Sequence, residues 1–389
     1  MRYNGEQLTA LSLRPTKCDR CLYLGRCPGG ATASACDTRT NPSQPDWDAR
    51  MAGTRGLDLS VSIAHRQALI ELPAFVPQID GLVISRSICR PTVAIRLTDW
   101  LKRTRRAQGT GVSMHDVLNI DPATRVVLLL YANDFVLEQK LWPARHEFVD
   151  SLSVWRPNAV AVPDFSVWLR DSWLERQLSM VQSLRVFELL QDRGIVAIPH
   201  VAWGDESQMA EWVGWLNSNS VEVIAMDLQC LQPALRGPFL SDLLAFRNAL
   251  TSRPGLLISG VTDEGWLRAL LGVWPDASLT SNVLIVGYKR RETIRRRNGK
   301  TTRIVVPGGD PSVLAMREVK RIEAILESLM VFPWARMAHE QWTSPERMST
   351  RAGQDRRANR GRPVVSSARH GRIEVPRHPT LAADTLSLH

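Results

Sequence analysis

The chain has 389 residues and a mass of 43.6 kDa, enough for one large core with one or two smaller appended segments. No apolar run reaches the roughly 18 residues that a membrane helix needs, and the first residues lack the apolar core of a secretory signal, so we expect a cytoplasmic protein with no membrane partner. Its net charge of +10 favours a polyanionic partner, foremost nucleic acid. The alternative is a basic composition that serves no such partner.

The first segment, residues 1–56, holds four of the six cysteines. Two thiolates separated by two residues can bind one metal from a tight turn, and nearby glycines let the backbone bring two more sulfurs inward. Four sulfur ligands predict a zinc site, with an iron–sulfur cluster or no metal as alternatives. The expected ligands follow the spacing Cys-x2-Cys-x5-Cys-x8-Cys: Cys18, Cys21, Cys27 and Cys36. Residues 37–56, rich in Pro, Ser, Thr and Gly, are typical of a linker.

Residues 57–343 show the pattern of repeated βα units. Continuous apolar runs such as Val126–Leu130, typical of strands buried on both faces, alternate with helix-length stretches such as residues 174–190. About eight such units predict an α/β fold of the TIM type, a (β/α) barrel, with an open parallel sheet as the alternative. The last core strand is expected at Val283–Val286. No dinucleotide-binding glycine pattern and no P-loop follow a predicted strand.

Polar side chains follow several of the predicted strands. Because the carboxyl ends of parallel strands meet at one edge, we expect Asp164, His200 and Asp227 to supply a nucleophile, an acid/base and an electrostatic partner. Further residues are expected to bind substrate, and Trp203 offers a flat surface on which a base or sugar could stack: Ser166, Trp203, Asp205, Thr262 and Tyr288. The alternatives are structural, with Asp164 and Asp205 capping helices, Asp227 bracing a loop and His200 satisfied in the core.

A basic β-hairpin is predicted at residues 283–306, where Asn298-Gly299 favours a two-residue turn. Arginines on such a ribbon can follow phosphates, and the alternative is a charged arm that only aids solubility. The expected nucleic-acid contacts are Lys289, Arg290, Arg291, Arg295, Arg296 and Arg297. Residues 344–389 combine many arginines with few apolar residues, which predicts a disordered basic tail.

Two resemblances add to this pattern. Residues 150–290 resemble an uncharacterised domain family of bacteria, phages and other mobile elements, through Pro163-Asp164-Phe165-Ser166, Gly194–Pro199 and Trp203; His200 stands where that pattern has Asn. The family brings no known activity. Ser259–Glu264, followed by Leu267, is similar to the late strand and helix of tRNA-guanine transglycosylases and their phage DNA-modifying relatives. That similarity implies a TIM barrel, a zinc knot and an aspartate nucleophile, although their zinc site is C-terminal and includes a His.

Together these patterns predict an enzyme directed at nucleic acids or nucleotides, of the base-modifying, transglycosylase-like kind, encoded by a phage or mobile element. The alternative is a non-catalytic DNA- or RNA-binding protein of a phage or mobile element. In that case the cysteine segment, the hairpin and the tail would carry the function.

Overall fold

The computed structural model describes residues 51–61, 71–79, 90–107, 112–282 and 292–331, apart from 52, 168–170, 172, 262, 298–299, 307 and 309. For the hairpin strands it describes the backbone. The four cysteines predicted to bind metal and the basic tail therefore lie outside the described residues, as do Thr262, Tyr288 and Lys289–Arg291. In the part of the chain that the structure describes, no helix combines the length and the apolar character needed to cross a membrane.

Eight parallel strands form the core of the described chain. They are β1 (Phe75–Ile79), β2 (Thr92–Arg96), β3 (Arg125–Leu129), β4 (Ala159–Ala161), β5 (Ala197–Ile198), β6 (Val223–Asp227), β7 (Gly255–Ser259) and β8 (Ala277–Ser281). Neighbours in sequence are neighbours in the sheet, and β1 also pairs with β8. Beyond the end of β5, His200 bridges to Ala225 of β6, and the Ala225 N–H donates to the Pro199 carbonyl at 2.9 Å. This bridge joins the two edges of the sheet into a barrel.

The stagger of the strands is that of a TIM barrel. Each strand residue has a register partner on the next strand, so partners can be traced around the barrel from Gln78 through Ala94, Val127 and Ala159. After all eight strands, the trace meets the first strand's segment eight residues before Gln78. Eight parallel strands with a stagger of eight residues tilt enough for side chains to fill the interior in layers. The predicted TIM-type (β/α) barrel is confirmed.

Helices separate most of the strands and cover the barrel. They are α1 (Leu97–Ala107), α2 (Met114–Leu118), α3 (Arg145–Trp155), α4 (Trp173–Asp192), α5 (Glu206–Ser218), α6 (Arg236–Ala249), α7 (Glu264–Val273) and α8 (Pro311–Val331). A short turn, Asp134–Val136, runs into a π-helix, Leu137–Leu141, and a 3-10 turn, Pro233–Leu235, precedes α6. π-Helices are rare and often lie near functional sites; this one follows β3 at the end of the barrel where the polar residues gather.

The barrel interior changes from apolar to polar along the strands. Its lower layers contain Val76, Val127, Ile198 and Leu257, with the smaller Ala94, Ala161 and Ala225 between them. Because side chains alternate along a strand, the residues two positions further on face the same interior. These are polar on most strands: Gln78, Arg96, His200, Asp227 and Ser259, with Thr280 on β8 two positions beyond the partner of Leu257. On β3, Leu129 comes first and Tyr131 follows two positions later. The carboxyl end of the barrel is therefore lined by hydrogen-bonding groups.

Two strands differ from the sequence-based expectation. The eighth strand is Ala277–Ser281, shortly before the predicted Val283–Val286, and the latter lies outside the described residues. Strand β1, Phe75–Ile79, was not predicted. Neither strand is a continuous apolar run, since each carries polar residues that face the barrel interior.

The predicted hairpin is present. Strands β9 (Glu292–Arg297) and β10 (Lys300–Val305) pair antiparallel, with Arg297 opposite Lys300. This register leaves Asn298 and Gly299 as the two connecting residues, as the Asn-Gly signal predicted.

Candidate active site

The loop Pro163-Asp164-Phe165-Ser166 is held in place from several directions. The Val162 N–H donates to the Ile198 carbonyl at 3.0 Å, and the Ser183 hydroxyl of α4 donates to the Pro163 carbonyl at 2.9 Å. The Phe165 ring meets the edge of Trp142 with centroids 6.0 Å apart. The Ser166 hydroxyl donates to the Asp134 carboxylate at the start of the helical turn after β3. Each of these contacts restricts the loop that carries Asp164.

Asp164, His200 and Asp227 meet at the carboxyl ends of β4, β5 and β6. His200 Nε2 lies 3.5 Å from Asp164 Oδ1, and both side chains are 2% exposed. The same nitrogen accepts a hydrogen bond from the backbone N–H of Asp227 at 3.1 Å. In the neutral imidazole, the proton therefore belongs on Nδ1. Among the described residues, Asp164 Oδ1 has no hydrogen-bond partner. The three residues that the strand-end pattern predicted are brought together.

Tyr131, two residues beyond β3, belongs to the same cluster. Its ring lies edge-on to His200, with centroids 5.5 Å apart. Burial raises the pKa of the Tyr131 phenol well above its usual value, the charges of Asp227 and Asp164 raise it further, and Arg96 acts in the opposite direction. The phenol therefore stays protonated near neutral pH. Its oxygen has no hydrogen-bond partner in the described part of the chain, so it remains a donor for the site.

Arg96, the last residue of β2, brings a positive charge to this end of the barrel. Its guanidinium donates to Gln229 Oε1 at 2.7 Å. The Gln229 N–H in turn donates to Asp227 Oδ1 at 3.1 Å. Arg96 Nε has no hydrogen-bond partner among the described residues. A cation linked through Gln229 to Asp227, and close enough to act on the Tyr131 phenol, gives the site groups for both charged and neutral substrate atoms.

The turn after β6 is shaped by Gly260. This glycine has φ +84°, and a Cβ on it would lie 2.4 Å from the backbone nitrogen of Gln229. The Leu228 N–H also donates to the Ser259 carbonyl at 2.9 Å. The turns after β6 and β7 therefore pack backbone to backbone, which fixes Gln229 between Asp227 and Arg96.

Other predicted substrate-binding residues have structural contacts. Asp205 caps α5 by accepting from the Gln208 N–H at 3.1 Å, and it pairs with Arg176. Trp203 is buried, with the rings of Phe239 and Phe246 against it at centroid distances of 6.3 and 4.8 Å. Asp205 thus takes the capping alternative, and Trp203 packs as core beside a crevice that Asp227 also lines. Substrate contact at either residue stays a prediction.

Among the described residues, no group of three or more His, Cys, Asp or Glu side chains is arranged to hold a metal ion. The predicted zinc ligands Cys18, Cys21, Cys27 and Cys36 are not among those residues. Of the other two cysteines, Cys230 is exposed with a free thiol.

Sequence analysis missed Arg96 and Tyr131 in the cluster. Both stand at the end of an apolar strand, Thr92–Arg96 and Arg125–Leu129, in the same way that Asp164 follows β4. A charged or phenolic residue in phase with the interior positions of such a strand was the available signal.

A scan against protein-family models gives no match for this chain. The curated proteins also contain no match.

Proposed function

We propose that the protein is an enzyme that acts on the bases of nucleic acids or on nucleotides, through Asp164, His200 and Asp227. The observation that carries the proposal is the convergence of two carboxylates, an imidazole and a protonated phenol from four adjacent strand ends. Burying such groups together costs stability, and proteins accept that cost where chemistry requires it. The carboxyl end of the strands is also where TIM-barrel enzymes hold their reacting groups.

The contact between Asp164 and His200 supports a shared proton. In neutral His200 the single lone pair of Nε2 accepts the Asp227 N–H, so no hydrogen bond joins Nε2 to the Asp164 carboxylate 3.5 Å away. A proton delivered to Nε2 converts this contact into a charge-assisted hydrogen bond. The pair is therefore suited to taking up one proton and releasing it to substrate, which is the work of a general acid/base.

This contact changes the division of roles. A nucleophile and the acid that protonates the leaving group stand on opposite sides of a reacting carbon, whereas Asp164 and His200 lie side by side. We therefore assign the proton to the Asp164–His200 pair. Asp227 is the second carboxylate, with Oδ1 oriented by the Gln229 N–H, and it would face positive charge that develops at the sugar carbon.

A base-exchange reaction would use these groups as follows. The bond between the sugar carbon and the base nitrogen breaks, and its electron pair leaves with the base. The proton on His200 Nε2 passes to the departing base, while Tyr131 donates a hydrogen bond to an acceptor atom of the substrate. The incoming base or water uses its own electron pair to form the new bond to the sugar carbon and loses a proton to the Asp164–His200 pair, which restores the starting state.

The substrate class rests on charge and on the resemblances. A net charge of +10 favours a polyanionic substrate, and the basic hairpin after the eighth strand adds arginines that could bind its phosphates. The similarity of Ser259–Glu264 to base-exchanging TIM barrels points to the same class.

The test is a product assay with full-length protein. Single- and double-stranded DNA, RNA and nucleotides are incubated with each variant, and released or exchanged bases are measured by mass spectrometry. We expect Asp164→Asn and Asp227→Asn to lower turnover at least ~100-fold, because each removes a proton-carrying or charge-stabilising group. Asp121→Asn is the matched control, since Asp121 lies in the exposed turn before β3, at the other end of the barrel, and Asn can accept the same hydrogen bond from the Ala123 N–H. This control should keep turnover near wild type. Unchanged turnover in Asp164→Asn would remove that residue from the mechanism.

A second candidate, binding of nucleic acid without catalysis, is favoured by the hairpin. Its antiparallel strands and two-residue connection match the predicted arginine ribbon. In that case affinity would depend strongly on salt and be indifferent to Asp164.

A further inference from the structure

A second set of polar residues lies at the carboxyl end of the barrel, on the strands that do not carry the acid/base cluster. Gln78 lies on β1, Ser259 ends β7 and Thr280 lies on β8, and all three are at most 1% exposed. Ser259 and Thr280 are register partners, and Thr280 is in turn the partner of Val76, two residues before Gln78. Strand alternation places the three side chains toward the barrel interior. They form one arc across three adjacent strands.

The polar atoms of this arc lack partners. Within the described chain, Gln78 Oε1, Ser259 Oγ and Thr280 Oγ1 make no hydrogen bond. A buried polar atom is normally paired, because leaving it unpaired forfeits its hydration. Three such atoms on adjacent strands, at the end of the barrel that holds the reacting groups, indicate partners supplied by a ligand.

The chemistry of the arc selects the kind of ligand. A carboxamide and two hydroxyls carry no charge, and each can donate or accept a hydrogen bond. They suit a neutral, planar group with alternating donors and acceptors, such as the edge of a nucleobase. The layer directly below contains Ala94, Ala161 and Ala225, whose small side chains occupy little of the barrel interior. A phosphate or sugar carboxylate would instead call for cationic groups, which this arc does not contain.

The arc also has a defined relation to the reacting groups. Ser259 is the register partner of Asp227, so the two side chains come from neighbouring positions of β7 and β6. A base held by the arc would therefore lie beside Asp227, the nearest of the reacting groups.

We propose that Gln78, Ser259 and Thr280 form the base-recognition subsite of the enzyme and select the nucleobase by hydrogen bonds to its edge. This inference rests on the proposed function for its substrate class.

The test measures binding rather than turnover. Guanosine, adenosine, cytidine, uridine and thymidine, with their free bases, are titrated into full-length protein by calorimetry. We expect one base type to bind, and Thr280→Val and Gln78→Leu to weaken that binding at least ~10-fold, because each removes a hydrogen-bonding group from a buried site. The matched control is Thr92→Val at the start of β2, where a buried hydroxyl also lacks a partner among the described residues but lies at the other end of the barrel.

Binding that is equal in wild type, Thr280→Val and Gln78→Leu would overturn the subsite, as would the absence of binding by every base and nucleoside. Circular dichroism and thermal melts check that each variant folds, and Thr280→Val, an isosteric change, carries the test if Gln78→Leu does not. The two proposals fail separately. Arc-dependent binding together with turnover indifferent to Asp164 would reject only the mechanism, whereas Asp164-dependent turnover with no arc-dependent binding would reject only the subsite.

Discussion

His200 Nε2 lies 3.5 Å from Asp164 Oδ1, with both side chains buried and the Asp227 N–H already donated to that nitrogen. The backbone thus occupies the single lone pair of Nε2, and the neutral imidazole makes no hydrogen bond to this carboxylate oxygen. The barrel maintains this contact by the β5–β6 bridge at His200 and by the restrained loop around Asp164. In the proposed acid/base role, a proton on Nε2 would exchange the backbone contact for a charge-assisted hydrogen bond to Asp164.

Asp164→Asn should keep or raise stability while it removes activity. Asn has nearly the shape of Asp, and Asp164 Oδ1 has no hydrogen-bond partner among the described residues, so the variant removes a buried charge without removing a hydrogen bond at that atom. We expect the free energy of unfolding to equal that of wild type or to exceed it by up to ~1–2 kcal/mol, measured by urea denaturation. Asp205→Ala provides the contrast, since loss of a helix cap should cost about 1 kcal/mol. Strong destabilisation of Asp164→Asn would show that the carboxylate has a structural role.

Tyr131→Phe should change how stability depends on alkaline pH. The folded-state pKa of Tyr131 is raised by burial and by Asp227 and Asp164, whereas the unfolded chain ionises near pH 10. A raised folded pKa contributes stability that is fully present below the unfolded pKa and is lost as pH rises through the folded pKa. Above about pH 10, wild type should therefore lose up to ~1.4 kcal/mol more per pH unit than Tyr131→Phe.

Urea denaturation at pH 7, 9 and 10.5 measures this difference. At pH 7 the variant should be as stable as wild type, since it loses a hydroxyl with no hydrogen-bond partner among the described residues. Parallel stability profiles for the two proteins across this range would contradict the raised pKa.

Much of the barrel could be predicted from sequence because most strands are continuous apolar runs. Val126–Leu130 and Val223–Met226 need no context to indicate buried parallel strands. Strands β1 and β8 escaped because Gln78, Ser278 and Thr280 interrupt the apolar pattern. Those interruptions are themselves polar positions of the barrel interior, so the hardest strands to predict carry part of the candidate site.

The acid/base residues were predictable for a related reason. Asp164, His200 and Asp227 directly follow recognisable strands, and parallel strands gather their ends. Which strand-end residues turn inward depends on register and on local capping, as Asp205 shows by capping α5. The roles of Arg96 and Tyr131 depend on contacts with turns from other strands, such as Gln229, which no local pattern reveals.

Gly260→Ala should destabilise the turn that holds Gln229. The added methyl would lie 2.4 Å from the Gln229 backbone nitrogen, in addition to the strain of φ +84°. We expect a loss of ~3 kcal/mol or more in urea denaturation. Gly194→Ala is the matched control, because Gly194 also has positive φ, at +67°, but has open space around its Cβ position. That control should cost only about 1–2 kcal/mol; equal losses would show that contact with Gln229 is unimportant.

The four N-terminal cysteines should bind zinc. Protein purified under reducing conditions is expected to carry about one zinc per chain by elemental mass spectrometry, since four thiolates suit tetrahedral Zn²⁺. Replacing Cys18 and Cys21 by Ser should abolish that zinc, whereas Cys230→Ser, at an exposed lone thiol, should leave it unchanged. Iron and sulfide in place of zinc would identify a cluster instead. Protein that contains no metal at all would rule out a metal site there.

The basic hairpin should govern affinity for nucleic acid. Arginines that contact phosphates release counterions, so replacing Arg295, Arg296 and Arg297 by Ala should lower the slope of log affinity against log salt by up to ~2.7 for duplex DNA. Fluorescence anisotropy over about 50–300 mM salt measures this slope, and we expect the affinity at low salt to fall about ten-fold or more. Arg55→Ala with Lys102→Ala is the control, since both side chains are 71% exposed and lie outside the hairpin. Equal slopes for the hairpin variant and wild type would place the phosphate contacts elsewhere on the chain.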